Sequence, residues 1–417
     1  MSDLRDLTRV FSRIGVLSFG GPAAQIALMH REVVEDRKWV SEQEYLSALS
    51  FCMLLPGPEA MQLATWIGWR KAGVIGGLIS GGLFVLPGAA LVLALAMVYA
   101  SFGTLPLVTA LFVGVQAAVL AVVIEALLRL SKRALKARAH LGIAIAAFAA
   151  LYLFHLPFPV VIIAAALLGL ALLRQPAPPA PAIAAALPIR ESLIAALIWG
   201  AVWLIPLAGV VAFAPQILAD IALFFSKLVM LTFGGAYAVL SWMASEVVVT
   251  RGWMTAKQML DALALAETTP GPLILVTEFV AYVAAYKQGG MGLALAAAVI
   301  TLWMTFAPCF LWIFAGAPWI AHLQNVPRAA AALSGIMAAV VGVIAHLSLW
   351  FGLHVLFGAT ITVQIGPLQP LLPDFATLRL LPMGLALLAG MLLLRLHWAL
   401  PWVLVICSAV SALSLAF

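Results

Sequence analysis

Charge is almost missing from the long apolar stretches of this chain and gathers in the short loops between them. A helix needs about 20 apolar residues to cross the hydrocarbon core of a bilayer. By that rule six spans precede residue 174, near 8–31, 43–67, 73–100, 105–128, 140–155 and 158–173. Seven more follow, near 190–210, 216–245, 258–285, 290–315, 326–350, 378–395 and 398–416. Only 9% of the residues are charged, whereas a soluble surface takes roughly a quarter to stay hydrated. The expected fold class is therefore all-α: a polytopic membrane protein of about 13 transmembrane helices.

The basic residues set the expected orientation, because Lys and Arg accumulate on the cytoplasmic side. With the N-terminus inside, Arg70, Lys71, the run from Arg129 to Arg138, Arg251, Lys257 and Arg395 face inward. Lys287 faces outward, as does the first loop, where Arg31, Arg37 and Lys38 are offset by nearby acids. The C-terminus then lies outside. The net charge of +6 is spread over these loops and forms no nucleic-acid-binding face. Cys52, Cys309 and Cys407 stand far apart without a C-x-x-C pair, so they read as small core residues.

Sliding the sequence along itself by 214 residues matches Phe11-Ser12 with Phe225-Ser226, Phe19-Gly20-Gly21 with Phe233-Gly234-Gly235, and Pro56-Gly57-Pro58 with Pro270-Gly271-Pro272. Between Phe11 and Pro58, 19 of 48 positions are identical without a gap, which shared hydrophobicity cannot supply. The chain is a duplication: a first repeat over 1–173, a Pro/Ala-rich linker over 174–189, and a second repeat over 190–417. Seven spans separate the two starts, so the repeats are expected to be inverted, the common plan of secondary transporters.

Each repeat interrupts one span with Gly-Gly and the next with Pro-Gly-Pro. Glycine admits unusual backbone angles and proline removes a donor, so both helices should break. Hydrocarbon tolerates broken backbone only where it is buried in protein or lines a watery cavity. Half-helix N-termini there present positive dipole ends to an anion. The candidate anion-binding set is Gly20, Gly21, Gln25, Pro56, Gly57, Pro58 and Gln62 in the first repeat. Its counterpart is Gly234, Gly235, Thr268, Thr269, Pro270, Gly271 and Pro272 in the second. Tight packing of small residues is the alternative for any one glycine pair, and four breaks in matched positions favour the site.

Arg13 and Lys227 occupy matched places six residues before each Phe-Gly-Gly, and Lys227 lies roughly 16 Å into its span at 1.5 Å per residue. A cation that deep is a functional candidate. Arg37 and Arg251 each follow a matched Glu, Glu32 and Glu246, by five residues, a spacing that suits either an anion site or a salt-bridged loop staple. Glu59 adjoins the first Pro-Gly-Pro and Glu267 precedes the second by three residues, placing both as candidate proton carriers. Glu125 and Glu278 are further acids within apolar spans.

The string F-G-G-P at Phe19 to Pro22, R-K-W-V at Arg37 to Val40 and L-P-G-P-E-A-M-Q-L-A-T at Leu55 to Thr65 resemble the chromate ion transporter family. F-G-G-A-Y at Phe233 to Tyr237 and T-T-P-G-P-L at Thr268 to Leu273 resemble its second domain. Resemblance implies proton-driven export of chromate across the bacterial inner membrane, conferring chromate resistance. The expected partners are a chromate- or sulfate-like oxyanion, protons and lipid, with a homodimer as one assembly open to such a chain. Sulfate transport and a passive anion channel are the alternatives. A membrane-embedded enzyme is disfavoured, since no flavin, haem, thiol-pair or metal motif is present and no cofactor is expected.

Overall fold

The computed structural model describes residues 2–19, 21–173, 189–233, 236–320, 327–364, 366 and 368–416. Gly20, Gly234, Gly235 and the linker before Ile189 lie outside the described residues. The described chain is helical apart from one antiparallel hairpin, β1 (Thr360–Thr362) and β2 (Leu371–Pro373). The first repeat supplies α1 (Ser2–Leu17), α2 (Gly21–His30), α3 (Glu42–Leu54), α4 (Glu59–Phe102), α5 (Pro106–Ala134), α6 (Arg138–Tyr152) and α7 (Phe158–Leu172). After α8 (Ile189–Phe213) come α9 (Gln216–Met230), α10 (Ala236–Ser245), α11 (Ala256–Thr268), α12 (Val276–Gly316), α13 (Pro327–Leu356), α14 (Leu380–Gly390) and α15 (Leu400–Leu413). Long apolar helices make this a multi-pass membrane protein.

Neither α4 nor α12 is a single rod. In α4, Ala72 (φ −144°, ψ 30°) and Gly73 (φ 64°, ψ −157°) leave helical space, and a positive φ of that kind suits glycine. Past this turn the chain doubles back: Gly68 lies against Gly76 and Ser80, and Gly81 against Thr65. Gly289 (φ −154°, ψ 17°) and Gly290 (φ 70°, ψ −163°) repeat the same turn in α12. The short arm of α4, 59–71, spans about 20 Å, less than the ~30 Å hydrocarbon core.

The stretches 8–31 and 43–67, expected as single crossings, therefore need correcting. Arg13 Nη1 lies 3.4 Å from Glu32 Oε1, although 19 residues of straight helix would part them by about 28 Å. Arg70 reaches Glu44 at 3.3 Å and Lys71 reaches Asp3 at 3.0 Å. In each stretch the chain reverses, so that residues near its two ends lie side by side.

The chain forms two compact units, and both interleave the repeats. One comprises Met1–Ala100, Ala177–Val239 and Thr269–Val326, the other Ser101–Pro176, Leu240–Thr268 and Pro327–Phe417. In the first, α12 packs against α8 and α9 around Trp203, Ala222, Met304 and Leu311. In the second, α5 packs against α14 and α15 while α13 packs against α6 and α7, so each repeat's long helix takes the other's closing pair. Helices in lipid associate through close packing of small residues. Gly114 accordingly meets the Cys407 backbone, and Gly335 meets Ala165 and Gly169. All three cysteines are free and buried.

Candidate functional site

The helix breaks of the two repeats meet inside the first compact unit. Gly57 N–H donates to the Thr232 carbonyl at 2.7 Å, and Gly271 N–H donates to the Ser18 carbonyl at 2.9 Å. Gly57 and Gly271 are 214 residues apart, as are Ser18 and Thr232. The two bonds are therefore one contact made twice, i to j and j to i, the signature of a two-fold relation. Packing follows the same rule. A Cβ on Gly57 would lie 3.0 Å from Cys309 Sγ in α12, and one on Gly88 in α4 would strike the Pro270 carbonyl. Each Pro-Gly-Pro loop thus rests on the long arm of the other repeat's hairpin.

Two glutamine amides pin these loops. Gln25 Nε2 donates to the Gly271 carbonyl at 2.7 Å and to the Ser18 carbonyl at 3.3 Å, tying one break to the other. Gln62 Nε2 donates to the Pro56 carbonyl at 2.8 Å. Among the described residues the Oε1 atoms of both glutamines are buried without a partner, so each can still accept a hydrogen bond. Gly21 (φ 74°) starts α2 and Glu59 starts α4 at the breaks, and first-turn N–H groups have no partner within their own helix. Donors, acceptors and dipole ends converge where the backbone leaves helical form.

Charge collects at the end of α1. A π-helical turn over Arg31–Asp36 bonds residues five apart, which sets Arg37 directly over Glu32 in a way that an α-helix would not. Arg37 Nη1 lies 2.5 Å from Glu32 Oε2, and the Glu32 side chain is only 3% exposed. Arg13, Arg37, Asp6, Arg9, Val10 and Trp39 line a cavity of about 460 Å³. The second repeat has its own π turn, Glu246–Thr250, in which Arg251 meets Glu246 at 3.1 Å and stacks on Trp253 at 4.8 Å.

The remaining candidates spread out. Lys227 is exposed on α9 and forms no ion pair among the described residues. Glu59 is half-buried in the first unit, and Glu267 is buried on α11 in the second, beside Thr268, whose hydroxyl donates to the Leu265 carbonyl. Ser18, Thr232 and Cys309 were not sequence candidates; the 214-residue offset pairs the first two, but nothing local marks their carbonyls. Among the described residues no cluster of metal-ligating side chains occurs.

The profile of the chromate transporter family matches residues 5–170 and 219–413. A probable chromate transport protein of Synechococcus elongatus is 32% identical over 82% of this chain and 83% of its own. The chromate transport proteins of Cupriavidus metallidurans and Pseudomonas aeruginosa are 31% and 34% identical, covering 82% and 80% of this chain and 80% and 77% of theirs. No solved structure matches.

Proposed function

This chain belongs to the chromate transporter family, a family of transport proteins and not enzymes, and from that membership we propose that it exports chromate across the bacterial inner membrane in exchange for protons. The observation that carries this reading is the reciprocal pair of hydrogen bonds between the breaks, Gly57 to Thr232 and Gly271 to Ser18. A two-fold crossing of broken backbone is what a site shared by two rocking repeats requires. We assign oxyanion binding to this crossing, with helix N-termini at Gly21, Glu59 and Ala236 and the amides of Gln25 and Gln62 around it. The cavity of Arg9, Arg13 and Arg37 is its cytoplasmic antechamber. Glu59, which follows the first Pro-Gly-Pro in the sequence, and Glu267, three residues before the second, are the proton carriers of this reading.

Taking 1–173 and 190–417 as the repeats, inversion follows from counting crossings. If the broken segments return to their own side, the long arm of α4, then α5, α6, α7 and α8 cross before α9. That number is odd whether or not the short α6 and α7 traverse fully. Arg31, Arg37 and Lys38 then join the cytoplasmic face, and Arg251 and Lys257 move outside with Lys287 and Arg379. Every other Lys or Arg except Lys227 lies inside, a sharper bias than thirteen full crossings give.

Two measurements test this. Ser41 and Thr255 are exposed in matched loops. Cysteines placed there should react with an impermeant maleimide from the cytoplasmic and periplasmic faces respectively; labelling from one common face overturns the inversion. Everted vesicles with an imposed proton gradient should accumulate chromate, and an uncoupler should abolish accumulation. Persistence of uptake under the uncoupler overturns the coupling.

A further inference from the structure

Among the described residues, four buried polar side chains on α12 each carry an atom without a hydrogen-bond partner, and none belongs to the crossing described above. They are Glu278 through Oε2, Tyr282 through its hydroxyl, and Thr301 and Thr305 through Oγ1. None is more than 1% exposed. Their spacing is not random. Glu278 and Tyr282 are four apart on the short arm of the α12 hairpin, and Thr301 and Thr305 are four apart on the long arm, so each pair shares one helix face. In the α4 hairpin the arms meet in pairs such as Gly68 with Gly76 and Thr65 with Gly81, centred on the turn. By the same register about its own turn, Glu278 falls level with Thr301 along the α12 hairpin.

A buried carboxylate without a counter-ion is costly in a protein interior and more so at membrane depth. Among the described residues no Lys, Arg or His pairs with Glu278. On its own helix the nearest titratable groups are Tyr282 and Tyr286, and α4 brings Tyr99, whose ring packs on the neighbouring Phe279. The carboxyl therefore requires a mobile cation. A divalent metal ion takes six or more oxygens, usually from several carboxylates, and one carboxylate with three hydroxyls falls short. A proton needs only the carboxyl.

Resting on the coupled-transport reading, we propose that Glu278, buried on α12 at the level of Tyr282, Thr301 and Thr305, is a proton-binding site distinct from the oxyanion site. It takes up H⁺ as COO⁻ + H⁺ → COOH when open to one face and releases it to the other. The first repeat has Met61 and Ala64 near the matched position, so this site belongs to one repeat only and the symmetric crossing is served by an asymmetric proton path.

The test uses the full chain in proteoliposomes. Glu278→Gln should retain chromate counterflow between equal internal and external concentrations and lose proton-driven accumulation. Thr301→Val/Thr305→Val should retain counterflow and shift the pH of half-maximal accumulation. Full gradient-driven accumulation by Glu278→Gln overturns the proposal, as does loss of counterflow that Glu278→Asp restores without a change in pH profile. So does an unshifted profile in the threonine variant, or accumulation that follows a sodium gradient instead. Absence of counterflow in the unaltered protein would count against chromate transport itself, a separate failure.

Discussion

Gly57→Ala and Gly271→Ala are each expected to abolish chromate accumulation while the protein still inserts and is recovered from the membrane. Both glycines hold positive φ, 119° and 94°, where an L side chain is strained by ~1–3 kcal/mol. A Cβ at Gly57 would also lie 2.8 Å from Gln62 Nε2, and one at Gly271 would lie 2.8 Å from Leu275 Cδ1. Overpacking adds about 1–3 kcal/mol. The backbone N–H carried by each glycine is the donor of the reciprocal bond, so relief of the clash moves that donor off its carbonyl. A combined penalty near 3 kcal/mol corresponds to about two orders of magnitude in rate. Gly142→Ala is the control, because nothing lies within 4 Å of its added methyl and its φ is ordinary. Uptake in vesicles, normalised to protein recovered, is the readout; near-normal uptake by Gly57→Ala would remove the crossing from the transport path.

Much of this was written in the residues. The 214-residue register identified both Pro-Gly-Pro loops and both Glu/Arg pairs, because a duplicated motif survives where geometry demands particular residues. Direction was harder to read. An apolar run such as 43–67 measures length, and length is the same for one crossing as for two short arms folded back at Pro56-Gly57-Pro58. The available signal was electrostatic, since Arg31, Arg37 and Lys38 sat on the outer side of a thirteen-crossing map against the cytoplasmic bias of basic residues. Beyond Pro58 the register also slips: Gly73 matches Gly290 at 217 residues and Pro87 matches Pro308 at 221. Interleaving was wholly hidden, because whether α5 packs on α15 or on α7 depends on small residues such as Gly114 meeting a distant backbone. The glutamines show a subtler limit: Gln25 and Gln62 were legible as polar groups near breaks, but not that their N–H groups would be spent on loop carbonyls.

The Glu32 cluster gives the second large effect, and its size depends on which partner is removed. Glu32 is buried, whereas the side chains of Arg13 and Arg37 are 60% and 32% exposed. Arg37→Ala strands a carboxylate that water cannot reach, leaving only Arg13 at 3.4 Å, and should destabilise the protein by about 3 kcal/mol or more. Glu32→Gln frees two guanidiniums that can hydrate, and should cost about 1 kcal/mol. The double variant should therefore be more stable than Arg37→Ala alone, an ordering measurable by thermal unfolding in detergent. If the double variant is the less stable, the pair is not coupled as described. Transport should move the other way. Neutralising Glu32 leaves Arg9, Arg13 and Arg37 facing the cavity with less negative charge beneath them, so the KM for chromate should fall at low ionic strength. At 1 M salt, where the screening length is about 3 Å, the advantage should vanish. A KM unchanged at low salt would show that the arginine cavity does not gather the anion, and would confine substrate recognition to the crossing of the two breaks.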